Sequence, residues 1–139
     1  MSQFISPALS QTLHVRQGRP GLIARWAAQF VLAGVFLLAG GSKLAGAPAM
    51  VALFDAIGVG QWFRYVTGLI EVGSAVALLV PSLAPFGAIA LVATMAGAIL
   101  THFFIVGGSP LVPAILFVGS LTVAWVRRDQ ISSALSRLR

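Results

Sequence analysis

Residues 64–106 read RYVTGLIEVGSAVALLVPSLAPFGAIALVATMAGAILTHFFIV. Two apolar runs, Tyr65 to Val80 and Phe86 to Val106, enclose Pro81-Ser82-Leu83-Ala84-Pro85, and the only acid or imidazole inside them is Glu71 or His102. Runs of this length approach the roughly 20 residues that carry a helix across a hydrocarbon core about 30 Å thick. The bracketing prolines break the helix between the runs, and so short a connection makes the two neighbours antiparallel. A pair of adjacent membrane-crossing helices is therefore the centre of the fold.

The flanking sequence repeats the pattern. Leu22 to Gly41 forms a first span, with Arg25 able to snorkel at one end and Gly40-Gly41 closing the other. After Gly107-Gly108-Ser109-Pro110 a fourth run extends from Leu111 to Val126 and stops at Arg127-Arg128-Asp129. Its Pro113 falls in the first turn, where the missing N–H costs nothing. Between the first and second spans, Pro48 to Gly58 has a helix-start proline and a helix-stop glycine. Met50, Leu53, Phe54 and Ile57 recur there at helical spacing, so this piece, too short to cross, is expected to lie in the interface or over the bundle mouth. The expected fold is all-α: an integral membrane four-helix bundle with a short interfacial helix between spans 1 and 2. A polar tail over 1–21, a membrane domain over 22–126 and a basic tail over 127–139 complete the organisation, and the tail over 1–21 lacks the apolar core of a signal peptide.

Composition supports this. Mean hydropathy is +0.97 and charged residues make up 9% of the chain, collected at the ends and at isolated interior positions. The net charge of +6 forms no basic stripe with interleaved aromatics, so lipid headgroups are the expected partner and nucleic acid is excluded. With no cysteine, the chain cannot offer disulfides, thiol chemistry or thiolate metal sites. Four spans place both termini and the second-to-third turn on one side with Arg16, Arg19, Arg25, Arg127, Arg128, Arg137 and Arg139, against Lys43 and Arg64 on the other. The positive-inside rule then puts both termini in the cytoplasm. Trp26 and Trp125 fall at the inner boundary, Trp62 and Tyr65 at the outer.

Lys43, Arg64, Glu71 and His102 all belong to the outer leaflet in this orientation. Glu71 lies seven residues, roughly 10 Å, beyond Arg64 on nearly the same face, and His102 lies about 27 Å along its helix from Ala84. Small residues line the faces that carry them: Thr67, Gly68, Ser74 and Ala75 beside Glu71, and Ala90, Thr94 and Ala98 before His102. Glu71 should therefore pair with Lys43, Arg64 or His102, or take up a proton. Two readings stay open: an ion pair that only sets which helices are neighbours, or a ligand or proton site with Glu71 and His102 as its reactive groups and Lys43, Arg64 and Thr67 as ligand-binding residues. His102 could equally be satisfied by Thr101 or a backbone carbonyl, and Asp55 is expected on the wet face of the short helix. A single intramembrane histidine cannot ligate haem twice, and one Glu with one His falls short of a catalytic zinc site. No Gly-rich loop is placed to hold phosphate.

Leu38-Ala39-Gly40-Gly41-Ser42-Lys43-Leu44, Thr67-Gly68-Leu69-Ile70-Glu71-Val72-Gly73 and Met95-Ala96-Gly97-Ala98-Ile99-Leu100-Thr101-His102, together with Arg25 and its apolar run, resemble the DoxX family of small four-span bacterial membrane proteins. The resemblance covers roughly Ala24 to Arg127. It implies Lys43, Glu71 and His102 as recurrent polar residues, and a family whose name-giving members are membrane subunits of a thiosulfate:quinone oxidoreductase, others being linked to oxidative-stress and thiol-handling complexes. The function it implies is an accessory or membrane subunit of a quinone-linked redox system in the bacterial inner membrane, without independent catalysis and with a quinone as its only implied cofactor. Other membrane or redox subunits, or further copies of the chain, would be its partners. Two alternatives stand beside it: a structural subunit of a larger membrane complex with no ligand, and a small-molecule carrier, the last disfavoured by the lack of an internal repeat unless the chain oligomerises.

Overall fold

The computed structural model describes residues 19–137, so the expected N-terminal tail lies outside the described residues up to position 18. Among the described residues six helices follow one another: α1 (Arg19–Leu44), α2 (Pro48–Ile57), α3 (Gln61–Leu79), α4 (Ala84–Thr101, continued by a π-helical turn over His102–Val106), α5 (Leu111–Val126) and α6 (Arg128–Ser136). Helices α1, α3 and α4 with its π turn are each long and apolar enough to cross a membrane. Helix α5, at 16 residues, reaches that length only together with α6, from which it is bent by 54°. Counting that bent pair as one span gives the four-span bundle with a short helix between the first two spans. The bend falls at Arg127 and Arg128, charges that a hydrocarbon core would reject. The basic segment after Arg127 is thus helical as far as Ser136, which composition did not reveal.

Helix α1 packs along α3, α3 along α4, and α4 along α5, whereas α1 and α5 meet only briefly. Small residues make the central contacts close. A Cβ on Gly40 of α1 would stand 2.8 Å from the carbonyl oxygen of Gly68 on α3, and one on Gly87 of α4 would stand 2.7 Å from that of Ser74. Backbones that approach this closely gain dispersion contacts that larger side chains would prevent. The core they enclose contains Phe36, Ala75, Leu78, Ala88 and Leu91, all fully buried. The outer surface is itself apolar, with Leu38 77% and Phe104 82% exposed, as expected where lipid is the solvent.

The two ends of the bundle differ. At the end bearing the α3–α4 turn, Gln29 is buried; its Nε2 donates to the carbonyl of Leu78, and its Oε1 accepts from Arg127 Nη2 at 2.9 Å. Arg127 also reaches the Pro81 carbonyl at 3.4 Å and lies 5.5 Å from the Trp26 ring centre. One glutamine and one arginine thereby tie α1, the α3–α4 turn and the end of α5 together.

At the opposite end α2 lies across the bundle. Pro48 opens it, and Gly58 closes it at φ 77°, a left-handed conformation suited to glycine, its N–H donating to the carbonyls of Phe54 and Asp55. The expected apolar face turns inward: Phe54 is buried and meets Phe63 edge-on, with ring centres 5.9 Å apart.

Candidate functional site

Beneath α2 the bundle is hollow. A cavity of about 600 Å³ opens there, bounded by residues of all four long helices and of α2. Phe36 and Met95, which also belong to the core, form its floor. Met50, Leu53, Phe54 and Ile57 supply the side nearest α2. Val112, Pro113 and Leu116 supply the wall from α5. The site is mostly apolar, with a few polar groups concentrated on α1, α3 and α4, the usual make-up of a small-molecule pocket.

Four of the five residues singled out from sequence line it: Lys43, Thr67, Glu71 and His102. Glu71 projects from the small-residue face of α3, on which Gly68, Ser74 and Ala75 are also buried. Of its three possible partners the fold selects Lys43, whose Nζ lies 2.8 Å from Glu71 Oε2; the two side chains are 14% and 2% exposed. The close passage of α1 and α3 at Gly40 and Gly68, one turn from each partner, brings the two together. This is the one buried ion pair among the described residues, since Arg128 and Asp129, 4.0 Å apart, are both exposed.

Arg64 does not line the cavity. It is 4% exposed, donates from Nε to Gln61 Oε1 at 2.7 Å and from Nη1 to the backbone carbonyl of Lys43, and lies 4.3 Å from the Tyr65 ring centre. Gln61 continues this chain of bonds to α2, its Nε2 donating to the Val51 carbonyl at 2.9 Å and to Asp55 Oδ1 at 2.7 Å. Asp55 is thus exposed as expected, yet engaged. Gln61 and Gln29 were both missed in the sequence. Their signal was available: each is a polar amide in or at the start of an apolar run, where its donors and acceptors must find protein partners.

His102 stands where α4 passes into its π turn, and its Nδ1 lies 2.9 Å from the Ala98 carbonyl oxygen. A carbonyl only accepts, so Nδ1 carries the hydrogen, and in the neutral ring Nε2 keeps a lone pair. Widened turns of this kind are frequent at functional sites. Thr67 lines the cavity while its hydroxyl donates to the carbonyls of Phe63 or Arg64, both at 3.1 Å. No group of three or more metal-ligating side chains occurs among the described residues.

No curated protein and no solved structure matches the chain. A protein-family model does, that of the DoxX-like family, over residues 27–131, a stretch that runs from α1 into α6 and contains every residue of the cavity. The chain therefore belongs to the DoxX-like family of membrane proteins.

Proposed function

We propose that this protein is an accessory or membrane subunit of a quinone-linked redox system, and that the cavity under α2 receives the quinone ring. The observation that carries this reading is a largely apolar space of about 600 Å³ in which an ion pair, Lys43 with Glu71, and an imidazole, His102, are the ionisable groups. A ring compound of the bilayer suits such walls, and a bound quinone would supply two-electron chemistry coupled to two protons, its electrons coming from or going to a partner subunit. The chain's own residues would bind and move protons. Lys43 Nζ uses one of its hydrogens on Glu71 and has others to offer a ring oxygen. His102 Nε2 and the Glu71 carboxylate are the proton acceptors, with Glu71 the residue to which function should be most sensitive. The basic ends and the family support a bacterial inner-membrane location with both termini cytoplasmic, which would place the cavity in the outer leaflet.

A second reading has its own support: Lys43 and Glu71 already satisfy each other, as a purely structural pair would in a subunit that only docks onto a larger complex. Thermal unfolding of the detergent-purified protein with added decylubiquinone separates the two. A saturable rise in Tm that is abolished by Lys43→Met, which removes the side-chain donor of the lining, supports the quinone site. No rise at any concentration leaves the docking subunit as the better account.

A further inference from the structure

The hydrogen bonds around the cavity are directional in a way that distinguishes what can bind. Four hydroxyls line it, and each gives its hydrogen to a carbonyl of its own helix: Ser42 to Ala39 at 2.8 Å, Thr67 to Phe63 or Arg64 at 3.1 Å, Thr94 to Ala90 at 2.8 Å and Thr101 to Gly97 at 2.8 Å. A hydroxyl bonded this way presents only oxygen lone pairs to a neighbour. His102 behaves alike in its neutral form, since its Nδ1–H is taken by Ala98 and Nε2 is left as an acceptor. Glu71 adds a carboxylate, which is acceptor-only when ionised. Against these six acceptors the lining offers one side-chain donor, Lys43, and part of its capacity is spent on Glu71.

We infer that the cavity is complementary to a ligand that donates hydrogen bonds, an aromatic ring bearing hydroxyl groups, and hence that it holds the reduced quinol in preference to the oxidised quinone. This rests on the quinone-linked reading above and goes further by choosing the redox form. A quinone has carbonyl oxygens and no donor. It could bond only Lys43 and would bury the remaining acceptors against apolar or accepting atoms, at the cost of their lost hydration. A quinol hydroxyl can donate to His102 Nε2 or to Glu71 and still accept from Lys43. A single well-placed hydrogen bond that one form makes and the other cannot corresponds to about tenfold in affinity.

The test is equilibrium binding of decylubiquinol and decylubiquinone to the full-length protein in the same nanodiscs, each corrected for partition into protein-free discs, with the quinol kept reduced under anaerobic conditions. The expected result is quinol binding at least about tenfold tighter. Equal affinities, or tighter binding of the quinone, overturn the inference and leave the quinone site standing. Failure of both forms to bind overturns the inference together with the functional reading beneath it. In the variant arm, His102→Phe should weaken the quinol by about tenfold and leave the quinone within about twofold, so that the preference collapses. An equal loss for both forms counts against the donor argument. Thr94→Val, which keeps the side-chain shape and removes one accepting oxygen, is read in the same way should His102→Phe not fold.

Discussion

Arg64 donates from Nη1 to the backbone carbonyl of Lys43, the same residue whose ammonium stands 2.8 Å from Glu71. The contact connects two regions that look independent in sequence. On one side Arg64 accepts its own placement from Gln61, which holds α2 through Val51 and Asp55. On the other it fixes the end of α1 from which Lys43 reaches into the cavity. The position of α2 and the position of the buried ammonium are therefore set by one continuous set of hydrogen bonds.

Loosening that set at its exposed end should free α2 first. Gln61→Ala removes the donor to Val51 and Asp55 and the acceptor for Arg64, a loss of about 1 kcal/mol for the neutral bond to Val51 and somewhat more for the two bonds to charged groups. Hydrogen exchange in Pro48–Ile57 should accelerate several-fold while α3 and α4 keep their protection. Acceleration spread evenly over the bundle would show that Gln61 supports the whole fold and not α2 in particular.

The buried ion pair gives an asymmetric expectation. Glu71→Gln leaves the Lys43 ammonium without its countercharge and should cost about 3 kcal/mol, read as a lower Tm in detergent. Replacing both partners, Lys43→Met with Glu71→Met, should recover most of that loss because no unpaired charge remains. A double variant as unstable as the single one would mean that the pair supplies something besides mutual neutralisation.

Close packing of α1 on α3 predicts a contrast between adjacent glycines. A methyl at Gly40 would meet the Gly68 carbonyl and Val72 Cγ2, both at 2.8 Å, whereas one at Gly41 meets nothing within 4 Å. Gly40→Ala should therefore lower stability by about 1–3 kcal/mol, and Gly41→Ala should leave it unchanged or slightly raised. Thermal unfolding of the two variants side by side decides the matter.

At the other end, Gln29→Leu keeps the volume and removes the partner of both Leu78 and Arg127. Leaving buried polar groups unmatched should cost about 2 kcal/mol, larger than the effect of Arg127→Gln, which preserves an amide donor near Gln29. Equal effects would indicate that the charge of Arg127, and not the glutamine bridge, holds that end together.

Topology can be tested without purification. With both termini cytoplasmic, Ser136→Cys should resist an impermeant thiol reagent in intact cells and Ala45→Cys, exposed between α1 and α2, should react. The reverse pattern would move the cavity to the inner leaflet.

The helices from α1 to α5, with boundaries within a few residues, and the inward apolar face of the short α2 were legible in the sequence, because apolar run length, proline and glycine act locally and a bilayer permits few alternatives to a helix; the polar α6 carries no such signal. Glu71, Lys43 and His102 were legible as candidates for the same reason: an ionisable group in an apolar run is costly wherever it ends up. Partner choice was not. Lys43, Arg64 and His102 were equivalent partners for Glu71 on paper, and the decision fell to the approach of Gly40 to Gly68, a relationship between two helices. The same holds for the cavity, which exists because α2 covers the bundle end while α1 and α5 barely meet, and for the bridging roles of Gln29 and Gln61, whose partners lie on other elements. Burial cost is a property of a residue and its neighbours along the chain. Pairing, hollowness and the direction of hydrogen bonds depend on distances between segments, and only the folded arrangement sets those.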